Sequence, residues 1–243
     1  ELNLTPDRVH LVQNDTYTCP TGGSASASRS HHMVGMATKI AAEALLDAMR
    51  KPDGTYRSYD EMMAEGIPVK YFGKYNSPSD ISSIDKYTGH GLGCVGQNFI
   101  LNLAEVEVDV KSGKVKVLRF SIISDIGVVG NKLNVTGLAL GGMSHSIGFA
   151  LTEDYDDTRR CETMTGAGIP TIEDIPDDAE VIFSETPREY GPHGSTGCAE
   201  SYQSCGHTAV LNAIYDAVGV RIYSLPATPE KIKRGMDALS RGD

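Results

Sequence analysis

The residues that could do chemistry lie in short segments of small side chains. The segment "GSTGCAES" at 194–201 contains one carboxylate, Glu200, among Gly, Ser, Thr, Cys and Ala. Small side chains leave space for a bulky group, and a carboxylate that such a group partly shields from water gains the proton affinity of a general base. The alternative is an acid that complements the dipole at a helix start, worth about 0.3–1 kcal/mol. The pattern leaves both interpretations open.

A second segment of this kind, "TGGSASASRS" at 21–30, runs directly into a predicted helix. Its small residues allow a ligand to approach the backbone, and the N–H groups at the helix start favour an anion such as a phosphate. A flexible Gly/Ser linker is the competing interpretation. The segment is not a P-loop, because Lys39 lies too far along the chain to serve as its lysine.

Other candidate residues carry weaker signals. In "SDIGVVGNKLN" at 124–134, Asn131 could bind a ligand, although an ordinary connection explains the pattern better. Ser144 or Ser195 could be the nucleophile of a serine hydrolase. However, "GMSHS" at 142–146 lacks the second glycine of a nucleophile elbow, and its apolar surroundings indicate a buried helix.

Hydrophobic periodicity predicts the elements that must position these segments. Helices are predicted at 32–49, 59–65, 135–154, 209–218 and after Thr228, and strands at 9–14, 103–110, 115–125 and 180–186. The last helix has Thr228 as N-cap and Pro229 at its first position, and is expected to bury Ile232, Met236 and Leu239. Without a regular βαβ repeat, the predicted fold class is α+β, with an antiparallel or mixed sheet and packed helices.

Composition excludes several classes of function. The formal net charge of −10, with no run of Lys or Arg, argues against nucleic-acid binding. No apolar run is long enough for a membrane span, and the N-terminus lacks a signal-peptide pattern. The five cysteines form no CxxC pair, and the adjacent His31 and His32 have no partner at metal-binding spacing. We therefore expect reduced thiols, a cytoplasmic protein and no metal site made by these side chains alone.

Four segments together resemble the C-terminal molybdenum-binding region of the xanthine oxidase family. They are "DTYTCPTGGSASASRSHHMVGMAT", the hairpin "LAEVEVDVKSGKVKVLRFSIISDIGVVGNKLN", "GMSHSIGFALTEDYDD" and "GSTGCAES", and they occur in the family's order. The likeness is to the bacterial aldehyde oxidoreductases of sulfate reducers in particular. It covers most of the chain and is weakest in residues 50–90 and 155–180.

The resemblance implies an enzyme that oxidises aldehydes to carboxylic acids with oxygen from water, with Glu200 as general base at the molybdenum site. It implies molybdopterin cytosine dinucleotide with molybdenum as the cofactor, and [2Fe–2S] clusters that accept the electrons. The implied cofactor-binding residues are Ser26, Ala27, Ser28, Arg29, Ser30, Gly197, Cys198 and Ala199, and we add Asn131 from the sequence pattern. Two positions depart from the family: Ala199 where many relatives have Gly, and Leu138 where relatives often have a pterin-contacting Gln.

The resemblance also implies a place within a larger protein. Residues 1–243 would form the second molybdopterin-binding domain, either undivided or as two subdomains with a boundary near 90–130. The iron–sulfur domains and the first molybdopterin-binding domain would lie outside this chain, which begins on Glu1 rather than Met. Its expected partners are the remaining domains of a homodimeric parent and a small aldehyde, with neither nucleic acid nor membrane. The alternative is a non-catalytic α+β module that binds a nucleotide or a protein partner.

Overall fold

The structure, a computed structural model, describes residues 4–13, 15–77, 84–91, 93–94 and 96–242. The chain divides into two compact units. Unit 1 consists of Glu1–Gln97 and Pro187–Gly197, and unit 2 consists of Asn98–Thr186 and Cys198–Asp243. Each unit is therefore built from two stretches of chain. In the described part of the chain, no helix is both long and apolar enough to cross a membrane.

Unit 1 is organised around the helix α1, Ser30–Met49, followed by the short helix α2, Tyr59–Ala64. Both helices were predicted, with ends within two residues of those observed. Ser58 and Glu61 form a capping box at the start of α2, which satisfies two backbone N–H groups there. Short 3-10 turns lie at Pro6–Arg8 and Pro192–Gly194.

The predicted strand at 9–14 is wrong over its described part. Residues 9–13 have no regular structure, and Asn14 lies outside the described residues. Val9, Leu11 and Val12 are all exposed. A strand is stable only when a neighbour completes its hydrogen bonds, and among the described residues none pairs with this segment.

Unit 2 contains a mixed sheet of three strands in the order β1, β2, β3. β1 (Phe99–Val108) pairs antiparallel with β2 (Val115–Asp125), and β3 (Asp178–Phe183) pairs parallel with β2. The β1–β2 hairpin was predicted, and its turn closes where the N–H of Asp109 donates to the carbonyl of Lys114 at 2.9 Å. β3 begins two residues before its predicted start. The predicted α+β class with a mixed sheet is confirmed.

Three helices of unit 2 build its core: α3, Lys132–Leu151; α4, Gly206–Val218; and α5, Pro229–Arg241. Met143 of α3 and Val210 and Ile214 of α4 join the strand residues Phe120 and Ile122 in one buried cluster. α4 ends as predicted at Gly219, which adopts a left-handed conformation with φ 73°. This core holds α3 and α4 in place, and the turn that carries Glu200 lies between them in the chain.

The last helix confirms its predicted caps but only part of its predicted buried face. The Thr228 hydroxyl accepts a hydrogen bond from the N–H of Lys231 at 3.3 Å, and Pro229 occupies the first turn. Ile232 is fully buried, whereas Leu239 is 53% exposed. The burial predicted for Leu239 is wrong, because the last turn of α5 lies at the edge of the core with its neighbours Ser240 and Arg241 also exposed.

This difference gives a paired test of the core. Ile232→Ala should lower the free energy of unfolding by about 2–5 kcal/mol, because it leaves a cavity in the buried cluster. The matched variant Leu239→Ala should change it by less than about 0.5 kcal/mol. Denaturant unfolding followed by circular dichroism measures both. Equal losses of stability in the two variants would contradict the finding that Ile232 is buried while Leu239 is exposed.

Candidate functional site

The segment that precedes α1 has an unusual backbone. Ala27 and Ser28 are consecutive non-glycine residues with φ 50° and 54°, in the left-handed region that side chains disfavour. The N–H of Arg29 donates to the carbonyl of Ser26 at 3.1 Å and closes a tight turn around them. Backbone strain of this kind persists only where the surrounding structure imposes it, and it is concentrated at ligand sites.

The side chain of Arg29 folds back over the same loop. Its Nη1 donates to the carbonyl of Ser24 at 3.0 Å and approaches that of Gly22 at 3.5 Å. Gly23, with φ 74°, leaves room for it, since a Cβ there would lie 2.9 Å from Nη1. These contacts give the loop a defined shape, which a flexible linker would not have.

The N-terminus of α1 can receive an anion. Arg29 occupies the N-cap position in an α conformation, and no side chain caps the helix. The first N–H groups of a helix have no partner within it and carry a partial positive charge. Ser30, the first residue of α1, is exposed. This end therefore offers backbone donors, with serine hydroxyls beside them, to a phosphate-like group.

Gly197 approaches the backbone of this loop. A Cβ on Gly197 would overlap the carbonyl oxygen of Ser28 and lie 2.7 Å from its carbonyl carbon. The preceding turn, Pro192–Gly194, also packs closely within unit 1, because a Cβ on Gly35 of α1 would lie 2.9 Å from Cγ of Pro192. The two small-residue segments are thus in contact inside unit 1. Only glycine permits this at position 197.

Ser195 lies in unit 1 beside His31, but it is buried, and its hydroxyl has a backbone carbonyl as a second partner. His31 Nε2 and Ser195 Oγ are 2.6 Å apart, and Ser195 Oγ donates to the carbonyl of Pro192 at 2.9 Å. When the hydroxyl proton is directed to the Pro192 carbonyl, His31 is the donor to Ser195. An activated serine requires the opposite direction. Ser144, the other candidate nucleophile, lies inside α3.

In unit 2, Glu200 lies on a separate 3-10 turn, Ala199–Gln203, rather than at the start of α4. Its side chain and that of Ala199 are exposed. The helix dipole acts within the first turn of a long helix, and α4 begins only at Gly206. Dipole compensation is therefore a poor explanation for this carboxylate.

The residues two positions before and two positions after Glu200, Cys198 and Tyr202, are buried. Cys198 is almost inaccessible, and Tyr202 is the largest fully buried side chain of the chain's described part. Burial raises the pKa of the Cys198 thiol and of the Tyr202 phenol. Sequence reasoning missed Tyr202. Its signal was a single aromatic residue in a segment of otherwise small and polar side chains.

Asn131, the remaining predicted cofactor residue, caps the N-terminus of α3. Its Oδ1 accepts a hydrogen bond from the N–H of Asn134 at 3.0 Å. The side chain is exposed, so its amide nitrogen can still donate to a ligand. The structure thus gives this residue a structural task that the sequence did not predict.

Comparison with known proteins identifies the family. The profile of the molybdopterin cofactor-binding domain matches residues 1–176. The chain belongs to this family. The curated aldehyde oxidoreductase of Megalodesulfovibrio gigas is 37% identical over 237 residues, which are 98% of this chain and 26% of that protein. The 6-hydroxypseudooxynicotine dehydrogenase complex subunit gamma of Paenarthrobacter nicotinovorans is 26% identical and is covered to 34%.

Solved structures agree with this assignment. The aldehyde oxidoreductase from Desulfovibrio gigas superposes with a TM-score of 0.93 at 37% identity, covering 98% of this chain and 26% of that chain. The enzyme from Desulfovibrio desulfuricans gives a TM-score of 0.91 at 43% identity, covering 97% and 26%. The family resemblance read from the sequence is confirmed. This molybdopterin cofactor-binding domain spans about a quarter of the length of these relatives.

The approach of Gly197 to Ser28 can be tested directly. Gly197→Ala should displace the loop and lower the free energy of unfolding by about 1–3 kcal/mol, the usual range for overpacking. Gly141→Ala is the matched control, because a Cβ there would meet no atom within 4 Å. Thermal unfolding of the two variants measures the difference. Equal stability would contradict the close approach.

Burial of Cys198 predicts low reactivity. The thiolate is the reactive form, so a raised pKa leaves less of it at a given pH, and burial blocks the reagent. At pH 8, Cys198 should react with iodoacetamide at least about tenfold more slowly than the exposed Cys94. Mass spectrometry of the labelled peptides measures both rates. The difference should vanish in denaturant, and equal rates in the folded protein would contradict the burial.

Proposed function

We propose that this chain is the C-terminal molybdenum-cofactor part of an aldehyde oxidoreductase. The enzyme oxidises small aldehydes to carboxylic acids with water as the source of oxygen. The observation that carries the proposal is the contact of Gly197 with the strained Ala27–Ser28 loop, in a chain of the molybdopterin cofactor-binding family. Relatives named aldehyde oxidoreductase support the choice of substrate class.

The residues fit a cofactor that carries phosphates. Ser26, Ser28 and Ser30 offer hydroxyl donors beside the uncapped N-terminus of α1, and Gly197 keeps side-chain bulk away from the loop. The proposed binding residues are Ser26, Ala27, Ser28, Arg29, Ser30, Asn131, Gly197, Cys198 and Ala199. The proposed form is molybdopterin cytosine dinucleotide, whose pyrophosphate matches an anion site at a helix N-terminus. When bound, its molybdenum centre would supply the two-electron oxidation.

Glu200 is the proposed general base. Conversion of an aldehyde and water into a carboxylic acid releases two protons and two electrons, so a group must accept a proton from the oxygen that is transferred. Glu200 is exposed on the Ala199–Gln203 turn and can contact a ligand that binds over this turn. Contact with such a ligand would exclude water and raise the affinity of the carboxylate for that proton.

Further parts of the enzyme must come from outside this chain. The chain spans about a quarter of its relatives, and some relatives are named as subunits of complexes. We assign the first molybdopterin-binding domain and the [2Fe–2S] clusters that carry electrons away to those parts. The parent is proposed to be a homodimer. Its proposed cytoplasmic location rests on five cysteines that form no disulfide.

Replacement of Glu200 tests the proposal. In the enzyme that contains this chain, Glu200→Gln should lower kcat by on the order of 10²- to 10⁴-fold, the usual contribution of a general base. Molybdenum content, measured by mass spectrometry, should not change. Glu107→Gln is the matched control, since Glu107 is exposed on β1. Normal kcat in Glu200→Gln would favour the non-catalytic module instead.

A further inference from the structure

The turn that carries Glu200 is too short to fix its own geometry. It has five residues, Ala199–Gln203, and its N-cap residue Cys198 makes no capping hydrogen bond with its side chain. Isolated helices of this length are unstable in water, and 3-10 turns have poor hydrogen-bond geometry. Contacts with the rest of unit 2 must therefore hold the turn in place.

Tyr202 supplies the main contact. Its ring is fully buried in the core of unit 2, and its hydroxyl lies 3.0 Å from Oγ of Ser124, a fully buried residue of β2. The Cys198 thiol, also buried, is near enough to the Tyr202 hydroxyl for each group to influence the pKa of the other. The Tyr202 side chain thus attaches the last residues of the turn to the central strand of the sheet.

Two further contacts hold the backbone around Tyr202. On α3, Gly142 faces it so closely that a Cβ there would lie 2.7 Å from the carbonyl carbon of Tyr202. Nδ2 of Asn98, immediately before β1, donates to Oγ of Ser201 at 2.8 Å. Ser201 is therefore attached to the residue before β1, and Tyr202 packs against α3.

The direction of Glu200 follows from this anchor. A 3-10 turn has three residues per turn, so residues two positions apart lie on different faces. With Tyr202 directed into the core, Glu200 is directed away from it, which agrees with its exposure. Movement of the Tyr202 ring would rotate or shift the whole turn and the carboxylate with it.

We propose that Tyr202, hydrogen-bonded to Ser124, is a positioning residue that sets the place of Glu200 for proton transfer. This inference rests on the proposed function of Glu200 as the general base. Tyr202 does not touch the reacting atoms. It acts through the backbone of the Ala199–Gln203 turn.

Tyr202→Phe tests the inference in the enzyme that contains this chain, because it keeps the ring and removes only the hydroxyl. We expect kcat per bound molybdenum to fall on the order of 10- to 100-fold, since a shift near 1 Å in a reacting group has such effects. KM and molybdenum content should stay unchanged. Ser124→Ala removes the partner hydroxyl and should cause a similar fall. Tyr223→Phe, at an exposed tyrosine, is the matched control and should leave kcat unchanged.

The combination with Glu200→Gln separates the possible outcomes. If Tyr202 acts through Glu200, adding Tyr202→Phe to Glu200→Gln should not lower the residual rate further. A further fall would overturn the inference, and so would a normal kcat in Tyr202→Phe while Glu200→Gln is inactive. That second outcome leaves the proposed function intact, whereas normal kcat in Glu200→Gln removes both. If Tyr202→Phe does not fold, Ser124→Ala alone and combined with Glu200→Gln decides by the same criteria.

Discussion

The candidate site of unit 1 depends on one close approach, that of Gly197 to the carbonyl of Ser28. No side chain fits between them, so the identity of residue 197 determines where the loop before α1 can lie. The loop in turn holds Ala27 and Ser28 in a left-handed conformation, and this conformation leads the chain directly into α1 without a side-chain cap. The start of α1 thus has no side-chain cap. Under the proposed function, this helix start would bind the anionic part of the cofactor.

Unit 2 uses a glycine in a different way. Gly142 on α3 lets the backbone of Tyr202 approach, so that the ring can reach Ser124 through the core. In unit 1 the glycine allows an unusual backbone shape to exist, whereas in unit 2 it allows an ordinary short turn to be attached firmly. The energetic reason is the same in both. Backbone that approaches this closely excludes water and gains dispersion contacts, and both are lost if a methyl group separates the two segments.

The sequence predicted the features that local patterns determine. The β1–β2 hairpin, α1, the end of α4 at Gly219 and the caps of α5 all depend on residues near one another in the chain. The parallel pairing of β3 with β2 and the bond from Tyr202 to Ser124 join residues more than fifty positions apart, and no local pattern encodes them. The two wrong predictions have the same origin. Apolar alternation at 9–13 and the helical spacing of Leu239 are local signals, but burial depends on whether another element covers them.

The division of tasks within unit 2 follows from the exposure of Glu200. A buried carboxylate would be fixed by its surroundings, but its charge would be costly without a partner. An exposed carboxylate avoids this cost, and the backbone contacts of the neighbouring residues contribute to its position. In the proposed mechanism, the contacts of Tyr202 and Ser201 would fix the direction of the Cα–Cβ bond of Glu200, and a bound ligand would select the torsions beyond it. On this proposal the core would position the acid without burying it, and its proton affinity would rise only when the ligand binds.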